Sequence, residues 1–445
     1  MKNLFLLVLC SLAGSAFASD LANLPRPFSV PEGKAVFSDF KTAAYQLDYD
    51  VPRKEILGSA EIVFETVQEG LPVFDSVVDP TSVNLDGEEV SARLTATPSG
   101  ETKVRVILKK VAPGIHRLKI KLPIREYVEF TDADVKHAFW LGDLRDRDYL
   151  ERFLPANLLF DRVAMELKVR ITGTSKPHRV FTNGEVEALS DSEFRITYPE
   201  TYNSSCLFYH LVPTDSVLTK SFSISSSDGR TIPAMVYMQQ PGNKNTLKEF
   251  VSATRKIMKE LEDDYGPFPH PALLIYTVPE GGMEYAGATA TALYALGHEL
   301  FHSYFARAVM PADGNSGWVD EGLASWRDSG YPSLTSLQGS SRMADHGEYN
   351  RVTDERAYGF GKDFFAYLNG KYGSLKPFLR DYVQRRSFQP FGMKDWIEAM
   401  NDFYGVDLAP EYKTYVFGRG ELPKGLSMNH RVHREFTKKE LLRLL

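Results

Sequence analysis

The chain has 445 residues, of which 43% are apolar and 25% charged, and its formal net charge is −6. This length exceeds what one simple core supports and predicts two domains of about 200 residues each. The composition is typical of a globular protein and excludes long disordered tracts, and the lack of a long basic run argues against a nucleic-acid partner.

Residues 1–18, MKNLFLLVLCSLAGSAFA, have the pattern of a secretory signal peptide. Lys2 precedes an apolar run from Leu4 to Leu9, and cleavage is expected after Ala18. We therefore expect export, to a periplasm or out of the cell. A membrane anchor is the alternative, but the run is well short of the roughly 20 apolar residues that a span needs. We expect no stable membrane insertion after cleavage.

Cysteine content limits how the exported protein is stabilised. The chain has two cysteines, and cleavage would remove Cys10 and leave Cys206 alone. The mature protein could then form no internal disulfide, so its stability must come from core packing. We interpret Cys206, next to a predicted strand, as a small buried residue rather than a nucleophile.

Residues 19–216 are predicted to form a β-rich first domain. The segments VAMELKVRI, ending at Ile171, and HRLKIKL, ending at Leu122, alternate apolar and mainly polar residues. Turn signals such as Asp86-Gly87 and Asn183-Gly184 separate the runs. The pattern predicts an antiparallel sandwich or saddle.

Residues 217–423 are predicted to form a second, mixed α/β domain, which makes the fold class α+β. NTLKEFVSATRKIMKELEDDYG has helical spacing and stops at Gly266; LLIYTV then predicts a buried strand and GGMEY a short polar strand. The chain is predicted to be mostly helical from Tyr358 to Phe417. Residues 424–445 are predicted to be a basic tail helix, either solvated or covering the cleft.

The stretch GHELFHSYF contains a candidate metal site. His298 and His302 are four residues apart, on one face of a predicted helix, and could hold a zinc ion, with Glu299 one position round the helix. Zinc catalysis needs a third protein ligand, and Glu321, nineteen residues after His302, opens a second predicted helix. Pro311 is expected to end the first helix. The alternative is that the histidines are satisfied by hydrogen bonds and Glu321 is a surface residue.

The run HELFHSYFARAVMPADGNSGWVDEGLASW resembles the aminopeptidase N family of gluzincin zinc metallopeptidases, whose pattern is HExxH, then a glutamate in W-x-x-E-G-x-A. The eighteen-residue spacing matches without a gap, although Asp320 stands where the family usually has asparagine. The resemblance implies a thermolysin-like catalytic domain with one zinc ion per chain. It implies that His298, His302 and Glu321 bind that zinc and that Glu299 is the general base.

A second segment, GGMEY, resembles the G-[AG]-M-E-N motif of the family. The family's glutamate binds the free α-amino group of the substrate, and Tyr285 replaces the usual asparagine. Glu284 lies only fourteen positions before His298, fewer than the family has, so a loop is expected to be missing. The resemblance implies a substrate-binding segment made of Gly281, Gly282, Met283 and Glu284.

A third segment, YGFGKDFFAYL, resembles the family's Y-x-x-G helix start and implies that the Tyr358 hydroxyl donates to the developing oxyanion. Tyr349 is the other candidate. Large members continue into a helical domain that closes over the site, whereas this chain stops soon after Pro423. The resemblance therefore implies a short, exported, bacterial-type member without that domain.

The expected function is zinc-dependent hydrolysis of the N-terminal bond of peptides with a free amine. A first alternative keeps zinc but loses the amine anchor, giving an endopeptidase with an open cleft. A second alternative is a non-catalytic member that binds peptides or another protein.

Overall fold

The computed structural model describes residues 24–100, 102–140, 150–158, 160–349 and 353–418. The expected signal peptide, residues 1–18, and the expected tail helix, residues 424–445, lie outside the described residues. Across the described ranges, every helix is too short or too polar to cross a membrane.

The described residues between Phe28 and Pro213 form strands and connecting turns, with a short 3-10 turn at Leu150–Arg152. In chain order the strands are β1 (Phe28–Val30), β2 (Gly33–Val36), β3 (Asp39–Asp50), β4 (Glu55–Thr66), β5 (Leu71–Phe74), β6 (Ser82–Leu85), β7 (Glu88–Glu89), β8 (Ala92–Ala96), β9 (Lys103–Ile107), β10 (Gly114–Ile124), β11 (Val128–Phe130), β12 (Val135–Phe139), β13 (Ala164–Thr172), β14 (His178–Thr182), β15 (Glu185–Ala188), β16 (Glu193–Thr197) and β17 (Tyr209–Pro213).

These strands form three sheets in the described residues, with orders β1-β2-β5-β9-β8, β15-β16-β13-β3-β4-β10-β6-β7 and β11-β12-β17-β14. Most neighbours are antiparallel, and β13 beside β3 is a parallel exception in the eight-stranded sheet. In β10, Leu118, Ile120 and Leu122 are buried while Lys119 and Lys121 face solvent. The predicted alternation is confirmed, because one face of this sheet covers the core.

The described residues from Val217 to 418 form strands and helices, after a 3-10 turn at Thr214–Ser216. Its elements are β18 (Val217–Ser225), β19 (Thr231–Gln239), α1 (Lys244–Tyr265), β20 (Leu273–Thr277), β21 (Gly282–Tyr285), β22 (Ala288–Thr291), α2 (Leu296–Phe301), β23 (Val309–Pro311), α3 (Val319–Asp328), α4 (Lys362–Tyr372), α5 (Lys376–Arg386), β24 (Gln389–Phe391), α6 (Met393–Tyr404) and α7 (Ala409–Glu411), with one-turn π-type helices at Ala357–Gly361 and Tyr412–Val416. The predicted α+β class is confirmed.

Helix α1 matches its sequence pattern at both ends. The Asn243 side chain accepts a hydrogen bond from the backbone N–H of Asn245, which caps the N-terminus. Gly266 has a φ of 98° and its N–H bonds to the Glu262 carbonyl, so the helix stops where the glycine permits a left-handed backbone. The apolar face of α1 packs into a core shared with α2 to α6.

Strand β21 is an edge strand, and the strand that pairs with it was not predicted. The sheet order is β18-β19-β20-β22-β21, with β22 parallel to β20 and antiparallel to β21. All four residues of β22, ATAT, are buried, so the segment lacks the alternation that would mark it as a strand. The predicted GGMEY strand exists, but Met283, Glu284 and Tyr285 are buried, so its prediction as a polar strand is wrong.

Helix α2 is shorter than predicted. It ends at Phe301, and Pro311 ends strand β23 instead, so the prediction that Pro311 stops this helix is wrong. His302 caps the helix with φ −62° and ψ −17°, still close to helical geometry. The two histidines therefore keep the relative orientation that a helix gives them.

Candidate active site

Helices α2 and α3 bring the three predicted metal ligands together. Nε2 of His298 lies 3.0 Å from Oε2 of Glu321, and Nε2 of His302 lies 3.3 Å from the same oxygen. One donor atom from each of the three residues lies within 4.8 Å of the other two, and all three residues are buried. The alternative that Glu321 is a surface residue is wrong for this structure.

The donor set fits a zinc ion. Two imidazoles and a carboxylate are a known catalytic zinc ligand set that leaves a position open for substrate. Nδ1 of His302 hydrogen-bonds the Phe305 carbonyl at 3.1 Å, which orients the ring. Its buried Nε2 faces the Glu321 carboxylate at 3.3 Å, without the geometry of a good hydrogen bond. Poorly satisfied buried polar atoms are costly, and a metal ion between this nitrogen and the carboxylate would satisfy both.

The charges of these ligands are strongly coupled. Burial alone would lower the pKa of His302, but the Glu321 carboxylate, with Glu284, raises it to about 9. Burial alone would raise the pKa of Glu321, but His302 and His298 hold it well below its usual value. In the metal-free protein the pair therefore shares a proton that zinc must displace, so zinc affinity should fall as the pH falls.

Asp328 supports the first ligand and was not identified from the sequence. Its Oδ2 lies 2.7 Å from Nδ1 of His298 and so fixes the ring with Nε2 toward Glu321. Burial raises the pKa of Asp328, but the hydrogen bond and charge of His298 outweigh it and lower the pKa overall. A usable signal existed, since Asp328 lies seven residues, or two helical turns, after Glu321 on α3.

Asp328→Asn is expected to weaken zinc binding by roughly 10–100-fold without unfolding the protein. The amide keeps the shape of the side chain but removes the charge that fixes the tautomer of His298. Zinc affinity by competition with a chromophoric chelator measures the effect. Asp363→Asn, at a partly exposed position in α4, is the control; equal affinities in both variants would contradict the assigned role.

Glu299, the predicted general base, lies buried on α2 beside strand β21. Burial raises the pKa of its carboxyl group to about 8; the charges of Glu284 and Glu321 raise it further, while His298 and His302 oppose them. Gly282 packs directly on this side chain, because a methyl group there would overlap the Glu299 carboxyl and lie 2.6 Å from its Cγ. Gly282 thus leaves room for the base.

Gly282→Ala is expected to lower kcat by roughly 10–100-fold, because a misplaced catalytic group costs about that much even when it remains present. Zinc content should not change, since the ligands lie on α2 and α3. Steady-state kinetics and metal analysis measure the two quantities. Gly392→Ala is the matched control, because Gly392 has a φ of −94° and open space around a new methyl group. Unchanged kcat in Gly282→Ala would contradict the contact.

Glu284, the predicted amine anchor, is held by an arginine. Oε1 of Glu284 accepts a hydrogen bond from Nη2 of Arg307 at 3.0 Å, and both side chains are buried, with 7% and 0% exposed. Nη1 of Arg307 donates to the carbonyl and to Oγ of Ser205, at 2.7 and 3.1 Å. Sequence reasoning missed Arg307, because no motif spacing relates it to Glu284.

The first domain also holds the turn that follows β21. The N–H of Ala286 donates to the Cys206 carbonyl at 3.1 Å, and the Asn183 amide donates to the carbonyls of both residues at 2.7 Å. Cys206 is fully buried, so its prediction as a small buried residue is confirmed. The short connection after Glu284 is therefore compensated by contacts from the first domain.

The backbone groups of Gly281, just before β21, and of Met283 in β21 are hydrogen-bonded to side-chain hydroxyls. The N–H of Gly281 donates to the Tyr294 hydroxyl at 2.8 Å, and the carbonyl of Met283 accepts from Oγ1 of Thr289 at 3.0 Å. The Tyr294 side chain is nevertheless exposed, at 71%. An aromatic ring thus stands at the start of the edge strand.

Tyr358 lies, partly buried, in the one-turn helix Ala357–Gly361, which packs on α3. The contact is close at two glycines, since a Cβ on Gly322 would lie 3.3 Å from the carbonyl carbon of Gly361. This places the segment that contains Tyr358 against α3 beside Glu321, the predicted third zinc ligand. Tyr349, the other candidate, packs instead on Phe28 and Phe37 of the first domain.

Three other histidines are structural. His210 hydrogen-bonds the Tyr237 hydroxyl at 2.9 Å, His270 bonds the Ser303 carbonyl at 2.9 Å, and His178 bonds backbone carbonyls. Burial lowers the pKa of all three, so they are neutral at physiological pH. Their hydrogen bonds stabilise the core, and we assign none of the three to ligand binding.

The fold is shared with solved zinc peptidases. An M1 zinc metallopeptidase from Deinococcus radiodurans aligns with a TM-score of 0.64 and 17% identity, covering 87% of this chain and 95% of its own. Leukotriene A4 hydrolase from Saccharomyces cerevisiae aligns with a TM-score of 0.64 and 14% identity, covering 87% and 69%. No protein-family model and no curated protein sequence matches the chain. The chain therefore has the two-domain fold of M1 zinc metallopeptidases.

Proposed function

We propose that the protein is a zinc-dependent peptidase that removes N-terminal residues from peptides. The observation that carries the proposal is the convergence of His298, His302 and Glu321 in a buried site with Glu299 beside them. Chance placement of a base next to three correctly spaced zinc ligands is improbable in a fold shared with zinc peptidases.

Each residue has a distinct role in the proposed hydrolysis. Zinc, held by the two histidines and Glu321, would act as a Lewis acid toward water and the scissile carbonyl. Glu299 takes the proton of the attacking water and passes it to the leaving amine. The Tyr358 hydroxyl donates to the oxyanion.

Peptides with a free N-terminus are the proposed substrates. Glu284 would accept a hydrogen bond from the α-amino group. Its negative charge raises the pKa of both Glu299 and His302, which shows that it lies near the site. Structures that share the fold include a Deinococcus radiodurans M1 zinc metallopeptidase with Tyr-Ser-Ala and a two-domain M1 zinc metallopeptidase with L-tryptophan, which supports a peptide substrate. In the described residues β21 lies at the edge of its sheet, the position at which an extended peptide can add as a further strand.

A second candidate is an endopeptidase, favoured by the ion pair between Glu284 and Arg307. If the guanidinium satisfies Glu284, the carboxylate discriminates less for an N-terminal ammonium. The non-catalytic candidate has less support, because the base and all three ligands are present.

The proposed location is outside the cytoplasm, in a periplasm or the extracellular space. Residues 1–18 support it, with one lysine before an apolar run and a small-residue end. N-terminal sequencing of the protein recovered from the cell envelope and medium tests this. Recovery of an intact N-terminus in the cytosol would contradict it.

The test of the function is hydrolysis of Tyr-Ser-Ala and similar free-amine peptides by protein reconstituted with one equivalent of zinc. We expect release of the first residue, loss of activity after treatment with a chelator, and recovery on adding zinc. Peptide hydrolysis that survives complete zinc removal would contradict a zinc mechanism. Absence of hydrolysis across a broad panel would support a binding role.

A further inference from the structure

Tyr294 combines a fixed hydroxyl with an exposed ring. The hydroxyl accepts a hydrogen bond from the N–H of Gly281 at 2.8 Å, and the Gly281 carbonyl accepts one from the N–H of Ala292 at 2.8 Å. Both backbone groups of Gly281 are therefore bound by the turn that carries Tyr294. The Tyr294 side chain is nevertheless 71% exposed, and the neighbouring Leu293 is 39% exposed. The ring is thus held in one place with most of its surface open to solvent.

This ring lies beside the strand that carries the proposed amine anchor. Gly281 directly precedes Gly282, the residue on which the Glu299 carboxyl group packs. Glu284 follows Gly282 by two positions, so in an extended strand both positions face the same side. The anchor Glu284, the base Glu299 and the Tyr294 ring therefore lie beside successive positions of this segment, in that order.

A peptide added at the edge of β21 would pass these groups in the same order. Under the proposed function its amine lies at Glu284 and its first carbonyl near Glu299, so the peptide runs antiparallel to β21, toward Gly281. One residue of an extended chain spans about 3.3 Å, which is also the step from Gly282 to Gly281. The residue that follows the scissile bond is therefore the one that reaches Tyr294.

We propose that Tyr294 is a specificity-determining residue, which contacts the side chain of the second substrate residue and favours aromatic and large apolar side chains there. The inference rests on the proposed aminopeptidase function and names its substrate class more closely. An open aromatic face gains from packing on another ring and from the apolar area that both remove from water. Glycine at the second position offers no side chain for this contact.

The test compares kcat/KM for release of alanine from Ala-Phe-Ala and from Ala-Gly-Ala. For the wild type we expect Ala-Phe-Ala to be favoured at least about tenfold, and for Tyr294→Ala less than about threefold, because the ring contact is lost. Phe403→Ala, which removes an exposed ring from α6, is the control and should keep the wild-type ratio. A wild-type ratio below about three, or an unchanged ratio in Tyr294→Ala, would overturn the inference.

Tyr294→Phe separates the ring from the hydroxyl. This variant keeps the ring and loses the hydrogen bond to Gly281, so its preference for Ala-Phe-Ala should stay within about threefold of the wild type. A loss as large as that in Tyr294→Ala would mean that the position of Gly281, rather than the ring, sets the preference, and would contradict the proposed contact.

A second peptide pair tests which substrate residue the ring contacts. The ratio of kcat/KM for Phe-Ala-Ala and Gly-Ala-Ala varies only the first residue, and we expect Tyr294→Ala to leave this ratio unchanged. A change confined to this pair would assign the ring to the first residue and refute the inference.

Binding measurements separate this inference from the proposed function. The dissociation constants of Ala-Phe-Ala and Ala-Gly-Ala are measured on zinc-loaded Glu299→Gln protein, with and without Tyr294→Ala, and need no turnover. A preference for Ala-Phe-Ala that disappears with the ring supports the role of Tyr294 even if the wild type cleaves neither peptide, an outcome that would contradict only the peptidase. Equal constants for the two peptides with Tyr294 in place would overturn the inference whatever the activity.

Discussion

Glu299→Gln is expected to lower kcat by roughly 10²–10⁴-fold, the usual contribution of general acid–base catalysis. The amide has the size of the carboxyl group and fits the same space against Gly282. It cannot accept the proton of the attacking water, so the chemical step loses its base. Zinc should remain bound, because Glu299 is not among the three clustered ligands.

The measurement combines stopped-time hydrolysis assays with zinc analysis of the purified variant. Glu249→Gln, which makes the same change at an exposed position in α1, is the matched control and should retain wild-type kcat. A Glu299→Gln variant with full zinc and more than about a tenth of the wild-type kcat would remove Glu299 from the mechanism.

Local periodicity accounts for the parts of the site that the sequence predicted. His298 and His302 face one point because a helix turns about 100° per residue, and this holds even though α2 ends at Phe301. Glu321 could be assigned only through the spacing of a known motif. Its distance from the two histidines depends on how α3 packs on α2. That packing is a tertiary contact with no local signature.

The residues that sequence analysis missed are those fixed by tertiary contacts. Arg307 pairs with Glu284, which lies 23 positions earlier on strand β21. The sequence around neither residue signals this contact. Strand β22 has no alternation because both of its faces are buried. Asp328 is the exception, since its position two turns after Glu321 could have marked it as a partner for a ligand.

His302→Ala is expected to abolish zinc binding at micromolar metal and to lower kcat/KM by at least about 10³-fold, since only two of the three ligands remain. Zinc content, measured after dialysis, should fall from one ion per chain to nearly none. His116→Ala, which removes a histidine from β10 of the first domain, is the control and should keep both zinc and activity. Retention of one tightly bound ion in His302→Ala would place the metal elsewhere.

Stability provides an independent test of the same ligand. Without metal, the pKa of His302 is raised to about 9 from its usual 6.5, so the folded state holds a proton that the unfolded chain releases. This contribution to stability is fully present below about pH 6.5 and is lost as the pH rises through 9. Zinc binds the deprotonated imidazole and stabilises the folded state by mass action. The gain in melting temperature on adding zinc should therefore increase from pH 6 to pH 9 in the wild type and vanish in His302→Ala; a gain that is independent of pH would mean that zinc does not replace this proton.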